Sequence, residues 1–270
     1  MESTAPGSVV MTATTPPEVR RRRFRVQGWE GALLLLGLLG VWHIGTTWVA
    51  LPDPALYPSP LRTAQALRDS WPELLKGTWY SLLILVPGYF AAVVAGVVWG
   101  LLVGTTDWLH RTFAPFARVA APTPPTVYIP YAIALLPSFR TSAIFVVFIG
   151  AFWPVFVNTA AGAAAIPARH RDNARILGLS RAAYLRRVVF PASLPHIFSG
   201  MGVGLALSFI LLTVAELFGA NAGLGRFVQY YADFADYPRM VAGILYTGLV
   251  TFLAMGLLDR VKQRALFWVH

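Results

Sequence analysis

The sequence predicts an all-α protein, a polytopic bundle of transmembrane helices, and three observations carry that prediction. Of 270 residues, 56% are hydrophobic and only 13% charged, whereas a soluble domain of this size carries about 25% charged residues. Several apolar runs reach the roughly 18 to 20 residues that cross about 30 Å of hydrocarbon as a helix. Helices satisfy their own backbone polar groups inside lipid, which open strands cannot do. Cysteine is absent, so neither disulfides nor a Cys-based metal centre is available and packing must supply the stability.

In chain order, residues 1–27 are Thr/Pro/Ser-rich and then arginine-rich, the composition of a disordered, solvated tail. "GALLLLGLLG" follows, but no small-x-small cleavage pattern succeeds it, so it reads as a first span rather than a signal peptide. The expected spans are 30–50, 80–103, 119–136, 142–165, 196–218 and 240–258. Residues 119–136 contain Pro122, Pro124, Pro125 and Pro130, so this third span should be kinked or broken and surrounded by protein rather than lipid. "SPLRTAQALRDSW" and "LGRFVQYYADFADY" read as short helices at the outer interface, the first with Leu61, Ala64, Leu67 and Trp71 on one face and Arg62, Arg68 and Asp69 away from it.

Charge orients these spans. With the N-terminus inside, six spans place Arg20–Arg23, Arg25, Arg111, Arg118, the six arginines of 169–187, Arg260, Lys262 and Arg264 on the cytoplasmic side. Arg62, Arg68, Lys76, Arg140, Arg226 and Arg239 fall outside, a split of 16 to 6. The positive-inside rule then puts both termini in the cytoplasm. The net charge of +10 is accordingly a sign of membrane orientation, and no nucleic-acid partner is expected.

"RHRDNARILGLSRAAYLRRVVFPASLPHI", residues 169–197, sets six arginines between apolar runs. Gly178 lets the chain turn with positive φ. Ser180 can cap a second helix over Arg181–Phe190, stopped by Pro191. Ser193 can cap the next span, with Pro195 in its first turn. Ala182, Leu185, Val188 and Val189 recur at helical spacing while Arg181, Arg186 and Arg187 fan outward, so an apolar face and a basic face suit docking.

The order Asp172-Asn173-Ala174, three residues, Gly178, nine residues, Val188-Val189-Phe190-Pro191 resembles the EAA loop of permease subunits of bacterial ABC importers. Ala174, Gly178 and Pro191 match its pattern, Asp172 and Val188 are conservative replacements, and Asn173 and Phe190 depart. "VVFPASLPHIFSGMGVGLALS", "VAELFGANAGLGRFV", "LLDRVKQRALFWVH" and "YPSPLRTAQAL" extend the resemblance over about residues 30–268, to the nitrate/sulfonate/taurine branch.

The resemblance implies a type I importer permease over 28–270 in the cell inner membrane. Residues 169–191 would form the coupling loop, with Asp172, Asn173, Ala174, Gly178, Ser180, Arg181, Leu185, Arg186, Arg187 and Pro191 docking a cytoplasmic ATP-binding subunit. An external solute-binding protein and a second permease copy are the other implied partners. The implied cargo is a sulfonate, taurine, nitrate or similar small anion, with a thiamine precursor, riboflavin or bicarbonate as alternatives.

The remaining motifs narrow the class. No GxxxxGK[ST] loop exists and the only lysines are Lys76 and Lys262, so ATP must be hydrolysed elsewhere. Ser199-Gly200 has no histidine after it except His270, which disfavours a serine nucleophile; the chain is expected to be no enzyme and to hold no cofactor. A secondary transporter or channel is the rival class, weakened by the absence of inverted repeats. Glu216 reads as a helix-end carboxylate that pairs with Arg226 or caps a neighbour. Gly200, Gly202 and Gly204 permit close helix approach, at a seam within the chain or between two copies.

Overall fold

The computed structural model describes residues 28–48 and 56–268; the tail expected over 1–27 lies outside the described residues. Among those described there are helices and no strands. The elements are α1 (Gly28–Thr47), α2 (Pro60–Asp69), α3 (Trp71–Thr105), α4 (Asp107–Ala120), a 3₁₀ turn (Pro125–Tyr128), α5 (Ile129–Leu135), α6 (Phe139–Ala164), α7 (Ala168–Ile176), α8 (Arg181–Tyr184), a π-helix (Leu185–Val189), α9 (Phe190–Gly219), α10 (Leu224–Asp233) and α11 (Tyr237–Ala265).

Three helices make the frame. α3 carries a small residue at every fourth position, Gly88, Ala92, Gly96, Gly100 and Gly104, and residues four apart lie on one helix face. That face meets α6 backbone to backbone. A Cβ would stand 2.9 Å from Val147 Cγ1 at Gly88, 2.9 Å from Val155 Cγ1 at Gly96, 2.6 Å from Thr159 Cβ at Gly100 and 2.7 Å from Ala163 Cβ at Gly104. The partners advance together, so α3 and α6 are parallel. α9 packs on the other side of α6 and runs antiparallel: Gly150 meets Leu211, Gly204 meets Ala151, Gly200 meets Pro154 and Val155, and Gly162 meets His196. Of the three glycines expected at a helix contact, Gly200 and Gly204 therefore serve this seam within the chain, while a Cβ at Gly202 would meet nothing. Ile84, Leu85, Val146, Val147, Leu205, Phe209 and Leu212 fill the space between the three helices.

Because α3 and α6 are parallel and consecutive, residues 106–138 must carry the chain back along the whole bundle. They do so without a span-length helix. The span expected over 119–136 is divided: α4 ends at Ala120 and α5 covers only Ile129–Leu135, with Pro122, Pro124 and Pro125 between them, where missing amide donors and ring clashes prevent a continuous ladder. Among the described residues five helices are long and apolar enough to cross a membrane, and the segment expected as the third span is not one of them. Within one chain it is not surrounded by protein. Ile129 and Ala132 are buried, but Val127, Tyr131 and Leu135 are exposed.

The remaining helices are peripheral. α1 touches the body lightly, through a Trp42 Nε1 bond to the Pro58 carbonyl at 3.1 Å. α2 starts at its Ser59 cap and buries Thr63 and Ala66 while leaving Leu61 two-thirds exposed. α11 is joined to α3 by the Thr78 hydroxyl bonded to that of Tyr246 at 3.1 Å and by Trp71 edge-on to Tyr246.

The glycine seam sets a test. Gly100→Leu should destabilise the detergent-solubilised protein by about 1–3 kcal/mol, the usual cost of overpacking, whereas Gly40→Leu on α1, where a Cβ meets nothing within 4 Å, should leave the melting temperature unchanged. Equal melting of both variants would show that α3 and α6 are not so closely apposed.

Candidate functional site

At the end of the bundle reached by α3 and α6, the chain leaves through Pro167 and forms the bend expected from its glycine. α7 closes with a Schellman motif: the Leu179 amide donates to the Ala174 carbonyl and the Gly178 amide to that of Arg175, both at 3.0 Å. Gly178 has φ +64, which a side chain adopts only with strain. Ser180 then caps α8, accepting from the Ala183 amide at 3.3 Å.

Beyond this point the local reading needs correction. Pro191 does not stop the helix, and Ser193 does not begin one. α8, the π-helix and α9 form one continuous run from Arg181 to Gly219. The π-helix is the reason: with the Phe190 amide donating to the Leu185 carbonyl, one residue more per turn shifts the ladder just before the proline, a usual role of such bulges. Ser193 is consequently buried within α9 with its hydroxyl unpartnered among the described residues. Pro195 likewise lies inside the helix.

Of the ten expected docking residues, Asp172, Asn173, Gly178, Ser180, Arg181, Arg186 and Arg187 are exposed, Leu185 and Pro191 are half-buried, and Ala174 is buried. Gly178 and Ser180 set the bend. The Arg181 Nη2 donates to Thr106 Oγ1 at 2.7 Å, tying the second helix to the end of α3. Together Thr106, Asp107, Arg171, Ala174, Arg181 and Leu185 line a groove of about 460 Å³.

Two residues missing from the expected set stand out. Ile176 and Leu177, just before the glycine, are 83% and 75% exposed. Their place in the motif was visible, but helical periodicity could not say that the Schellman turn would hold both away from the bundle. An exposed apolar pair flanked by arginines at a rigid bend is suited to contact a protein.

The opposite end holds a buried polar network. Glu216, fully buried on α9, accepts from the Ser81 hydroxyl at 2.6 Å and from the Gly225 amide at 2.7 Å. Ser81 Oγ in turn accepts from the Leu224 amide at 3.0 Å. Glu216 therefore caps the neighbouring helix α10, where a carboxylate complements the free amides and the helix dipole, and it makes no pair with Arg226. A Cβ at Gly223, whose φ is +141, would stand 2.4 Å from the Glu216 carboxylate carbon, so only glycine fits that approach. Nearby, the Tyr231 hydroxyl donates to Glu73 at 2.9 Å; burial and that carboxylate push it up to about 12, keeping it a donor at neutral pH. No group of three or more metal-ligating side chains occurs among the described residues.

This architecture has counterparts. Residues 78–266 match the family model described as binding-protein-dependent transport system inner membrane component. The nitrate import permease protein NrtB of Synechocystis sp. is 31% identical over 82% of this chain and 83% of its own length. The bicarbonate transport system permease protein CmpB of Synechococcus elongatus is 31% identical over 94% and 98%. The taurine transport system permease protein TauC of Escherichia coli is 28% identical over 86% of each. A chain of the MetNI methionine ABC transporter in an inward-facing conformation shares the fold, with a TM-score of 0.62 at 19% identity over 73% of this chain and 98% of that one. With its family motifs, membrane-length helices and glycine-hinged loop, the chain belongs to the binding-protein-dependent transport system inner membrane component family and is a multi-pass inner-membrane permease of the ABC importer class.

Proposed function

We propose that the bend at 169–191 seats a separate cytoplasmic ATP-binding subunit, and that two copies of the chain form the pathway for a small anion delivered by an external binding protein. The observation that carries the docking reading is the pair Ile176 and Leu177, exposed at 83% and 75% beside a glycine with φ +64. Arg175, Arg186 and Arg187 on either side would meet an acidic partner surface. The bond from Arg181 to Thr106 and the unbroken helix from the π-turn into α9 link movement of this loop to the frame. Rigid-body motion of the bundle, driven by closure of two ATPase subunits, would then expose the pathway to each side in turn.

Residues 28–270 act as one permease unit with both termini cytoplasmic. The 16 to 6 distribution of Lys and Arg supports this, and so does the parallel pairing of α3 with α6, which requires a return crossing by 106–138. The exposed Val127, Tyr131 and Leu135 of that crossing are suited to burial against a second copy. The names of the relatives, nitrate, bicarbonate and taurine permeases, favour a small oxyanion or sulfonate as cargo. ATP chemistry belongs to the partner, since no phosphate-cradling loop is present.

Three outcomes follow. A reporter active only outside the cytoplasm should work when fused after Ala222 and fail after His270; the reverse pattern would overturn the topology. The purified chain alone should not hydrolyse ATP, while its complex with the ATPase should do so faster with loaded binding protein, and turnover by the pure chain would contradict the assignment. Gly178→Val should add on the order of 1–2 kcal/mol of backbone strain and abolish ATPase co-purification and uptake while membrane insertion persists. Retention of the ATPase with normal uptake in that variant would remove the bend from the coupling path.

A further inference from the structure

The Glu216 end carries a cavity of about 290 Å³ between the start of α3 and the loop before α10, lined by Glu73, Lys76, Asn221, Gly223, Arg226 and Tyr230 among others. Its charges are unevenly engaged. Glu73 accepts from the Tyr231 hydroxyl. Glu216, the carboxylate that could have paired with Arg226, is committed to Ser81 and the Gly225 amide. Lys76 and Arg226 make no hydrogen bond or ion pair among the described residues, where the ion pair present is Arg239 with Asp236. The cavity thus has two free cations against one occupied carboxylate, and the Asn221 amide adds donors.

The wall is also built rather than loose. Gly77 packs so closely on the loop that a Cβ there would stand 3.3 Å from the Gly223 carbonyl, and the buried Glu216 and Ser81 hold the amides of Leu224 and Gly225. Arg226 follows directly in the first turn of α10. The capping network therefore fixes the backbone from which Arg226 extends into the cavity that Lys76 also lines, while removing its obvious internal partner.

We propose that this cavity is an oxyanion-binding site at the outer mouth of the permease, which receives a small anion such as nitrate, bicarbonate or a sulfonate from the binding protein. The inference rests on the importer reading for its direction, but binding itself does not depend on an ATPase. A guanidinium offers paired donors to a planar oxyanion and an ammonium adds a point charge, and the cavity of about 290 Å³ admits a small anion.

The two lysines make the test direct, because Lys262, at the other end of α11, is an internal control. The full chain in phosphatidylcholine nanodiscs is treated with an amine-acylating reagent, and modification of each lysine is followed by mass spectrometry at constant ionic strength, with chloride replaced by nitrate or methanesulfonate. A site with a Kd of about 1 mM would slow Lys76 acylation about tenfold at about 10 mM anion, leaving Lys262 unchanged. Arg226→Gln should abolish the protection and Arg226→Lys should retain part of it, with unaltered Lys262 reactivity in both reporting an intact fold. Absence of protection by either anion overturns the proposal. So does protection seen only in phosphatidylglycerol nanodiscs without added anion, which would assign the cations to lipid headgroups, or only with the external protein present, which would make them a protein contact. A chain that still co-purifies its ATPase yet shows no anion protection would lose this site alone, whereas loss of ATPase binding would count against the importer reading.

Discussion

Everything else in this molecule hangs on the close approach of α3 to α6. In lipid, apolar side chains gain little by meeting one another, so helices are held by van der Waals contact, and that contact improves when small residues let backbones come together. Gly88, Ala92, Gly96, Gly100 and Gly104 provide such a strip over more than four turns. The residues that meet along the strip, Val147, Val155, Thr159 and Ala163, advance in step with it, so α6 runs parallel to α3 and the proline-rich 106–138 segment must bring the chain back. α9 repeats the device on the other face of α6, antiparallel, through Gly150, Gly162, Gly200 and Gly204.

The two ends of this frame carry different chemistry with one logic, a polar group used to fix a loop. At one end Glu216, costly in an apolar interior, is satisfied by the Ser81 hydroxyl and the Gly225 amide and so determines where α10 begins. At the other, Arg181 reaches Thr106 and joins the helix after the bend to the tip of α3. In the proposed coupling role, a push on the bend would therefore reach both α9 and α3. The π-helix permits this continuity by accommodating Pro191 without ending the helix.

Much of this was legible in the sequence because it is local. Gly178 and Ser180 announced a positive-φ turn and an N-cap, and the structure has both; Glu216 was readable as a capping carboxylate, though Arg226 was an equally good partner until Gly225 was placed beside it. Long-range packing was harder to read. Pro191 looked like a stop because proline breaks an α ladder, and nothing in the residue types announces that a π-turn will absorb it. That α2 buries Thr63 and Ala66 against α11 could not be read locally, since that partner is over a hundred residues away. The division of the third span was legible in its prolines, but the exposure of Val127, Tyr131 and Leu135 depends on long-range packing that residue types do not reveal. The exposure of Ile176 and Leu177 depends on the direction in which the Schellman turn aims α7, which periodicity does not encode.

The central claim is that the bend before Gly178 is where a soluble ATPase grips the membrane bundle, and the absence of cysteine from the chain makes it directly testable. A single Leu177→Cys substitution, probed with a membrane-impermeant thiol cross-linker in inside-out vesicles, should join this chain to its ATP-binding subunit, and the same reagent applied to right-side-out vesicles should not react. Labelling from the outer face, or reaction from the inner face that never captures the ATPase, would contradict the account.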